Sequence, residues 1–253
     1  MFDSLSKSFR AYTSNPVGFS LNSLFLILYQ VLVVLVVAGL WFIFFFVASI
    51  FYLPADSPIF LVFDALLLVL LFYFSAGVKG AYVWSCNEIL EGRRASMLDF
   101  FRYIRGNAGT FFFLTLLKYF FTALFTVPLI LLYLYVLVDY EVQYLDALIY
   151  LTAAFLAFII HFLFFPSIVS AATYGSSISR SLRLGFRMIK KKNILALGLY
   201  ILYAFVWILN YIPLVQILSL FVLYPIVYSA MIVMFKDAVP VNEQIEKKGV
   251  KKK

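Results

Sequence analysis

The chain has 253 residues, of which 65% are hydrophobic, 20% aromatic and only 13% charged, with a formal net charge of +8. Soluble domains run at about 45–50% apolar and about 25% charged, so a water-soluble fold of this composition would leave more apolar surface than it could bury. A soluble globular protein is excluded, and a single all-α membrane bundle is expected.

Six stretches reach the roughly 20 mostly apolar residues needed to cross a hydrocarbon core about 30 Å thick. They are Val17–Leu53, Ile59–Leu90, Ala108–Val138, Leu145–Tyr174, Ile194–Tyr211 and Leu214–Lys236. The first is too long for a secretory signal and is expected to be retained as an anchor. The turns Pro54–Pro58, Asp139–Tyr144 and Asn210–Pro213 carry Asp56, Asp139 and Glu141 and no Lys or Arg. All 20 basic residues lie on the opposite side or at the span ends nearest it. The positive-inside rule then places both termini in the cytoplasm. Basic segments beside a membrane are drawn to anionic lipid heads at about 1 kcal/mol per residue, which accounts for the net charge without a nucleic-acid partner. Residues 1–236 read as one transmembrane domain and 237–253 as a disordered basic tail.

A motif recurs three times. Ser4–Arg10, Ser96–Arg102 and Ser181–Arg187 all read Ser-(Leu/Met)-x-x-x-Phe-Arg, followed by Asn15, Asn107 and Asn193 and then by a pair of spans. Repeat units of about 1–90, 91–175 and 176–236 follow, each an amphipathic helix plus a hairpin, all in parallel orientation because each holds an even number of spans. At 100° per residue Phe2, Leu5, Phe9 and Tyr12 share a face, as do Met97, Phe100, Phe101 and Ile104, and Ile178, Leu182, Phe186 and Ile189. Each prelude is expected to lie in the membrane interface with its apolar side down, and each Asn to cap the next helix. Pro16 after Asn15 suits a first helical position.

The approach to the fifth span, Pro166 followed by Ser177-Ile178-Ser179-Arg180-Ser181-Leu182-Arg183-Leu184-Gly185, resembles a six-helix family that includes the membrane domain of some bacterial glycerophosphodiester phosphodiesterases and related uncharacterised bacterial and archaeal membrane proteins. In that family a run like Ala-x-x-x-Ser-x-x-Leu-x-x-Gly precedes the fifth span. Here Ser177 stands in place of the Ala, and the acidic residue usual after the proline is absent. The resemblance implies a six-helix fold in a prokaryotic cytoplasmic membrane. It carries no activity, since the catalytic domain is missing.

Ionisable groups inside a bilayer are costly and mark candidate sites. Asp64 lies near the outer end of the second span, Lys118 on the third and His161 near the middle of the fourth. Asp64 and His161 differ in depth and are not expected to meet. Thr115, Lys118, Thr122 and Thr126 form a polar stripe, read either as a cavity wall or as threonines bonding between helices with Lys118 snorkelling to the interface. Lys79 and Glu88 read as snorkelling or paired residues near the basic side. Pro128, Pro166 and Pro225 are expected to kink their helices, with the hydroxyls of Ser167 and Ser229 satisfying the backbone locally. One His and one Cys cannot form a His/Cys metal site, no phosphate loop is present, and Cys86 has no disulfide partner, so neither cofactor nor enzymatic activity is expected. The favoured reading is a scaffold or accessory subunit that binds anionic lipids or a membrane-protein partner through Arg102, Arg105, Arg183, Arg187 and Lys190. The alternative is a small transporter or channel for a lipid-like or small solute, with Lys118, Asp64 and His161 on its path.

Overall fold

The computed structural model describes residues 2–54, 57–94, 96–137, 144–209 and 211–239. Asp56, Asp139 and Glu141, and the tail from 240 onward, lie outside the described residues. The elements in chain order are α1 (Phe2–Ser14), α2 (Pro16–Ile50), α3 (Pro58–Leu90), α4 (Met97–Leu132), a π-helical turn (Tyr133–Leu137), α5 (Leu145–Tyr174), α6 (Ile178–Leu209), α7 (Pro213–Leu218), a second π-helical turn (Ser219–Leu223) and α8 (Tyr224–Ala238). Six helical segments among the described residues are long and apolar enough to cross a membrane. The protein is an all-α polytopic bundle.

The exterior supports this on physical grounds. Phe42, Phe46, Leu61, Leu66 and Leu151 are each more than 60% exposed, on the half of the bundle near the short turns. Such a band is tolerable only against acyl chains, which give an apolar side chain nothing to gain from burial. What holds the helices together is close packing in the other half, the basic end. There α3 and α4 run antiparallel from their connecting turn, with Trp84 stacked on Tyr103 (4.7 Å between centroids) and Gly80 against Phe111. In the same way α5 and α6 meet where Gly185 touches Ser167. Half of the most apolar window of Val215–Ala238 is buried, against 11% for α2, so α8 is the central helix and α2 a peripheral one.

The preludes depart from expectation in instructive ways. α1 packs chiefly on α8, and the side it presents is Ser4 and Ser8, both buried, with Leu5, Ala11 and Tyr12 beside them. Phe2 and Phe9 stay 81% and 55% exposed, while Asp3, Lys7 and Arg10 occupy a third side. The helix therefore has a protein face, an apolar outer face and a charged face, where one apolar face was expected. The second prelude is no separate helix: α4 runs unbroken from Met97 through Asn107, whose side chain donates back to the Tyr103 carbonyl (3.0 Å) and does not cap. Phe100 and Ile104 are buried against the bundle. The third buries Ser181, Leu184, Gly185 and Met188 and leaves Phe186 45% exposed.

Asn15 does cap as expected, accepting from Gly18 N at 3.0 Å ahead of Pro16. Within α6 the break falls on Lys192 (φ −132°, ψ 35°), close to the backbone of Asn15 (φ −143°, ψ 59°). Counted from Ser181 and from Ser4, the two breaks occupy the same place in the run. Asn193 is one residue past it, and its Oδ1 accepts from Ile194 N (2.7 Å).

Ionic ties close the basic end. Arg93 bridges Glu88 and Glu91, and Lys236 Nζ lies 2.6 Å from Glu91 Oε1, joining α8 to the α3–α4 turn. Lys191 Nζ donates to the Ala238 carbonyl at 3.0 Å, where the dipole of α8 favours a cation. The helix thus continues past residue 236, so 237 and 238 belong to the bundle and not to the tail.

Candidate functional site

Lys118 does not snorkel. It is 8% exposed, and its Nζ stands 4.3 Å above the centre of the Tyr119 ring, a cation–π arrangement. Tyr119 in turn meets the edge of His161 on α5 (5.8 Å, 80°) and leans on Phe72 of α3. The threonines above Lys118 are satisfied within α4: Thr122 Oγ1 donates to the Lys118 carbonyl and Thr126 Oγ1 to that of Thr122 (2.9 and 2.8 Å). The expected bonds between helices are therefore not what the hydroxyls make, and Ser/Thr back-bonding of this kind spares them any lateral partner.

The structure gathers Lys79 of α3, Lys118 of α4 and His161 of α5 around one small void of about 50 Å³, closed by Phe165, Tyr200, Tyr203 and Tyr228. Lys79 was read from sequence as a snorkelling or paired group, yet among the described residues no carboxylate lies within ion-pair distance of it, of Lys118 or of His161. It is ringed by α2, α3, α6 and α8 and still keeps a large accessible surface, because it also lines a second cavity of about 610 Å³. That cavity extends from Lys79 to Tyr211 and Gln216 near the turn end, between the α2–α3 hairpin and the α6–α8 pair. Lys79, Tyr203 and Tyr228 line both spaces and form the wall between them.

The wall is built by helical spacing. Tyr200 and Tyr203 follow one another on one side of α6, Tyr224 and Tyr228 on one side of α8. Phe165 stacks on Tyr203 (4.6 Å), and Tyr228 meets Tyr203 edge-on (5.5 Å, 74°) and Tyr82 (5.4 Å, 75°). The outer flank of the cavity is the π-helical turn, held from both sides: Ser23 Oγ donates to the Leu220 carbonyl (2.7 Å) and Ser219 Oγ to that of Val206 (3.0 Å). A π turn leaves a carbonyl out of register, and here a hydroxyl from α2 takes it up. Asn22 Nδ2 adds a bond to the Tyr82 carbonyl (3.2 Å), fixing α2 to α3 beside the cavity.

Asp64 stands apart. It accepts from Trp41 Nε1 (3.1 Å) and lines an apolar groove of about 530 Å³ between the outer halves of α2 and α3, away from Lys118 and His161. It lines no space in common with them among the described residues. Of the basic residues singled out at the preludes, Arg102 is exposed with Asp99 Oδ1 3.8 Å away, Arg105, Arg183 and Lys190 are exposed, and Arg187 is half-buried. They sit on two elements, α4 and α6. The hydroxyls of Ser167 and Ser229, expected to relieve proline kinks, are buried without a hydrogen-bond partner among the described residues; they serve as small residues at helix contacts, Ser167 against Gly185. Pro225 stands in the first turn of α8, directly after the π turn at Ser219–Leu223.

Sequence reasoning took Lys79 for a snorkelling or paired group and missed the tyrosine wall. The available signals were the position of Lys79 well inside a span and the i, i+3 and i, i+4 spacing of the tyrosines; what no single span reveals is that three helices aim their basic residues at one point. The chain matches no protein-family model, no curated protein and no solved structure.

Proposed function

We propose that the protein is a small membrane transporter or channel for an anionic solute, with Lys79 as its central binding group and Lys118 and His161 beyond the tyrosine wall. The observation that carries this reading is Lys79 itself, a basic residue deep within the bundle that faces a cavity of about 610 Å³ and has no acidic partner among the described residues. A charged side chain within a bilayer is costly, up to about 2.5–3.5 kcal/mol at the centre of a helix on insertion scales. A bundle that merely filled its core would place no such group there, still less two more beside it. Asp64, on a separate groove, is left out of the path. With both termini cytoplasmic, the large cavity opens toward the outer side and the wall separates it from the small inner void. The six-helix resemblance agrees with this architecture, and the paired helix breaks at Asn15 and Lys192 support a repeated unit. No chemical step is assigned.

Proteoliposome flux tests the reading. Radiolabelled small carboxylates and organic phosphates should enter vesicles holding the wild-type protein, and Lys79→Gln, Lys118→Gln and His161→Ala should slow entry by about tenfold or more. Wild-type vesicles that pass none of these anions faster than empty ones contradict it.

A second reading, the scaffold, is favoured by the exposure of Arg102, Arg105, Arg183 and Lys190 and by the exposed Phe2 and Phe9 of α1. We propose that this end of the protein holds anionic lipid heads or a membrane-protein partner. Reversal of these four charges should abolish binding to anionic liposomes and to a partner; unchanged binding contradicts it.

A further inference from the structure

The two flanks of the large cavity differ in chemistry. Lys79, Tyr82, Tyr203 and Tyr228 supply a cation and phenolic groups at its inner end, whereas Ile27, Ile217, Leu220 and Phe221 line its side. An inorganic anion would meet the first set and leave the second as bare apolar wall. A cavity of about 610 Å³ is several times what such an ion needs and lies within the roughly 300–1,000 Å³ of drug-sized ligand sites, which are mostly apolar with a few convergent polar groups.

We infer that the cavity binds an amphipathic anion, its carboxylate or phosphate head on Lys79 and its apolar tail along Ile27, Ile217, Leu220 and Phe221. The inference rests on the reading of the cavity as the solute site and narrows the class of solute. Lys79 supplies the charge, Tyr82, Tyr203 and Tyr228 line the same end of the cavity, and Gln30 and Gln216, both exposed, offer amides along its wall. The tyrosine wall stops the head from passing without movement of Tyr203 or Tyr228. A charge-assisted hydrogen bond from Lys79 to such a head is shorter and stronger than a neutral one.

The test is titration of dodecanoate, acetate and dodecyltrimethylammonium into the full-length protein in phosphatidylcholine nanodiscs, read by calorimetry. Dodecanoate should bind about tenfold or more tighter than either of the others. Lys79→Gln should weaken it about tenfold and Lys79→Arg should restore it, while Ile217→Asn should weaken dodecanoate and leave acetate unchanged. Adding phosphatidylglycerol to the disc separates two sources of the same chemistry: displacement of dodecanoate supports a bilayer lipid as the occupant, and undiminished binding supports a free amphiphile. Acetate binding as tightly as dodecanoate overturns the inference and leaves the transporter reading standing. Equal binding of the cationic amphiphile overturns it on charge, and binding of no anion at all overturns both.

Discussion

The ring of Phe111 lies where the first carbon of any side chain on Gly80 would have to be: a Cβ built there falls 2.3 Å from the ring. A Cβ built on Gly77, one turn earlier, would fall 3.1 and 3.2 Å from Ile104 and Ala108. The α3–α4 contact thus depends on missing side chains on one helix and an aromatic on the other, a small-residue solution suited to helices that gain nothing from hydrophobic burial in lipid.

Gly80→Ala should therefore destabilise the protein by about 1–3 kcal/mol through overpacking, as should Gly185→Ala, whose Cβ would fall 2.4 Å from Ser167 Oγ and 2.7 Å from its backbone nitrogen. Gly39→Ala and Gly106→Ala meet nothing within 4 Å and should be neutral or stabilising by up to about 1 kcal/mol. Thermal unfolding of the four variants in one detergent checks the contrast.

Glu91 carries a pH dependence of known sign. Partial burial raises its pKa, but the hydrogen bond and charge of Lys236 and the charge of Arg93 outweigh burial and hold the carboxyl below its usual 4.5. A carboxylate whose folded pKa is depressed stabilises the fold fully above its unfolded value, and that contribution disappears as pH falls through the lower folded value. The tie between α8 and the α3–α4 turn should then weaken only below about pH 4.5. For a partly exposed pair the size is about 0.2–1 kcal/mol. Unfolding temperatures of wild type and Glu91→Gln, followed downward from neutral pH, should differ at neutral pH and converge below that window.

Removing the Ser23 hydroxyl should loosen the π turn that flanks the cavity. Ser23→Ala leaves the Leu220 carbonyl without its 2.7 Å donor, at a cost of about 1–3 kcal/mol, and the effect should appear as a changed affinity for the cavity's ligand as well as a lower unfolding temperature. Ser49→Ala, whose hydroxyl bonds only within α2, should change neither affinity nor stability by more than a fraction of this.

The spans were legible because twenty-residue apolar runs have no other physical home. Val17–Leu53 and Ile59–Leu90 differ from α2 and α3 by a few residues at most, and Leu145–Tyr174 coincides with α5. The misjudged boundary was the basic end of α4, which runs unbroken out of the apolar region, whereas the break at Lys192 in α6 falls two residues from the expected start at Ile194. The sixth span hid a break: the π turn at Ser219–Leu223 has ordinary apolar composition, and only the partners Ser23 and Val206 reveal why it is stable. Lys118 and His161 could be singled out one at a time, whereas their meeting with Lys79 depends on the rotation of three helices about their axes. For α3 and α4 that rotation is set by Gly77 against Ile104 and Ala108 and by Gly80 against Phe111, information that is spread over the chain and not written in any one span.

The account depends most on Lys79 facing a cavity that water and solutes can enter. In a Cys86→Ala background, which removes the protein's one cysteine, a buried thiol, Lys79→Cys can be challenged with a membrane-impermeant anionic thiol reagent, beside Tyr211→Cys at the cavity mouth and Leu66→Cys on the lipid face. Labelling is expected at 79 and 211, with none at 66. Labelling at 211 with none at 79 would contradict it, since Lys79 would then face a space that no aqueous anion reaches.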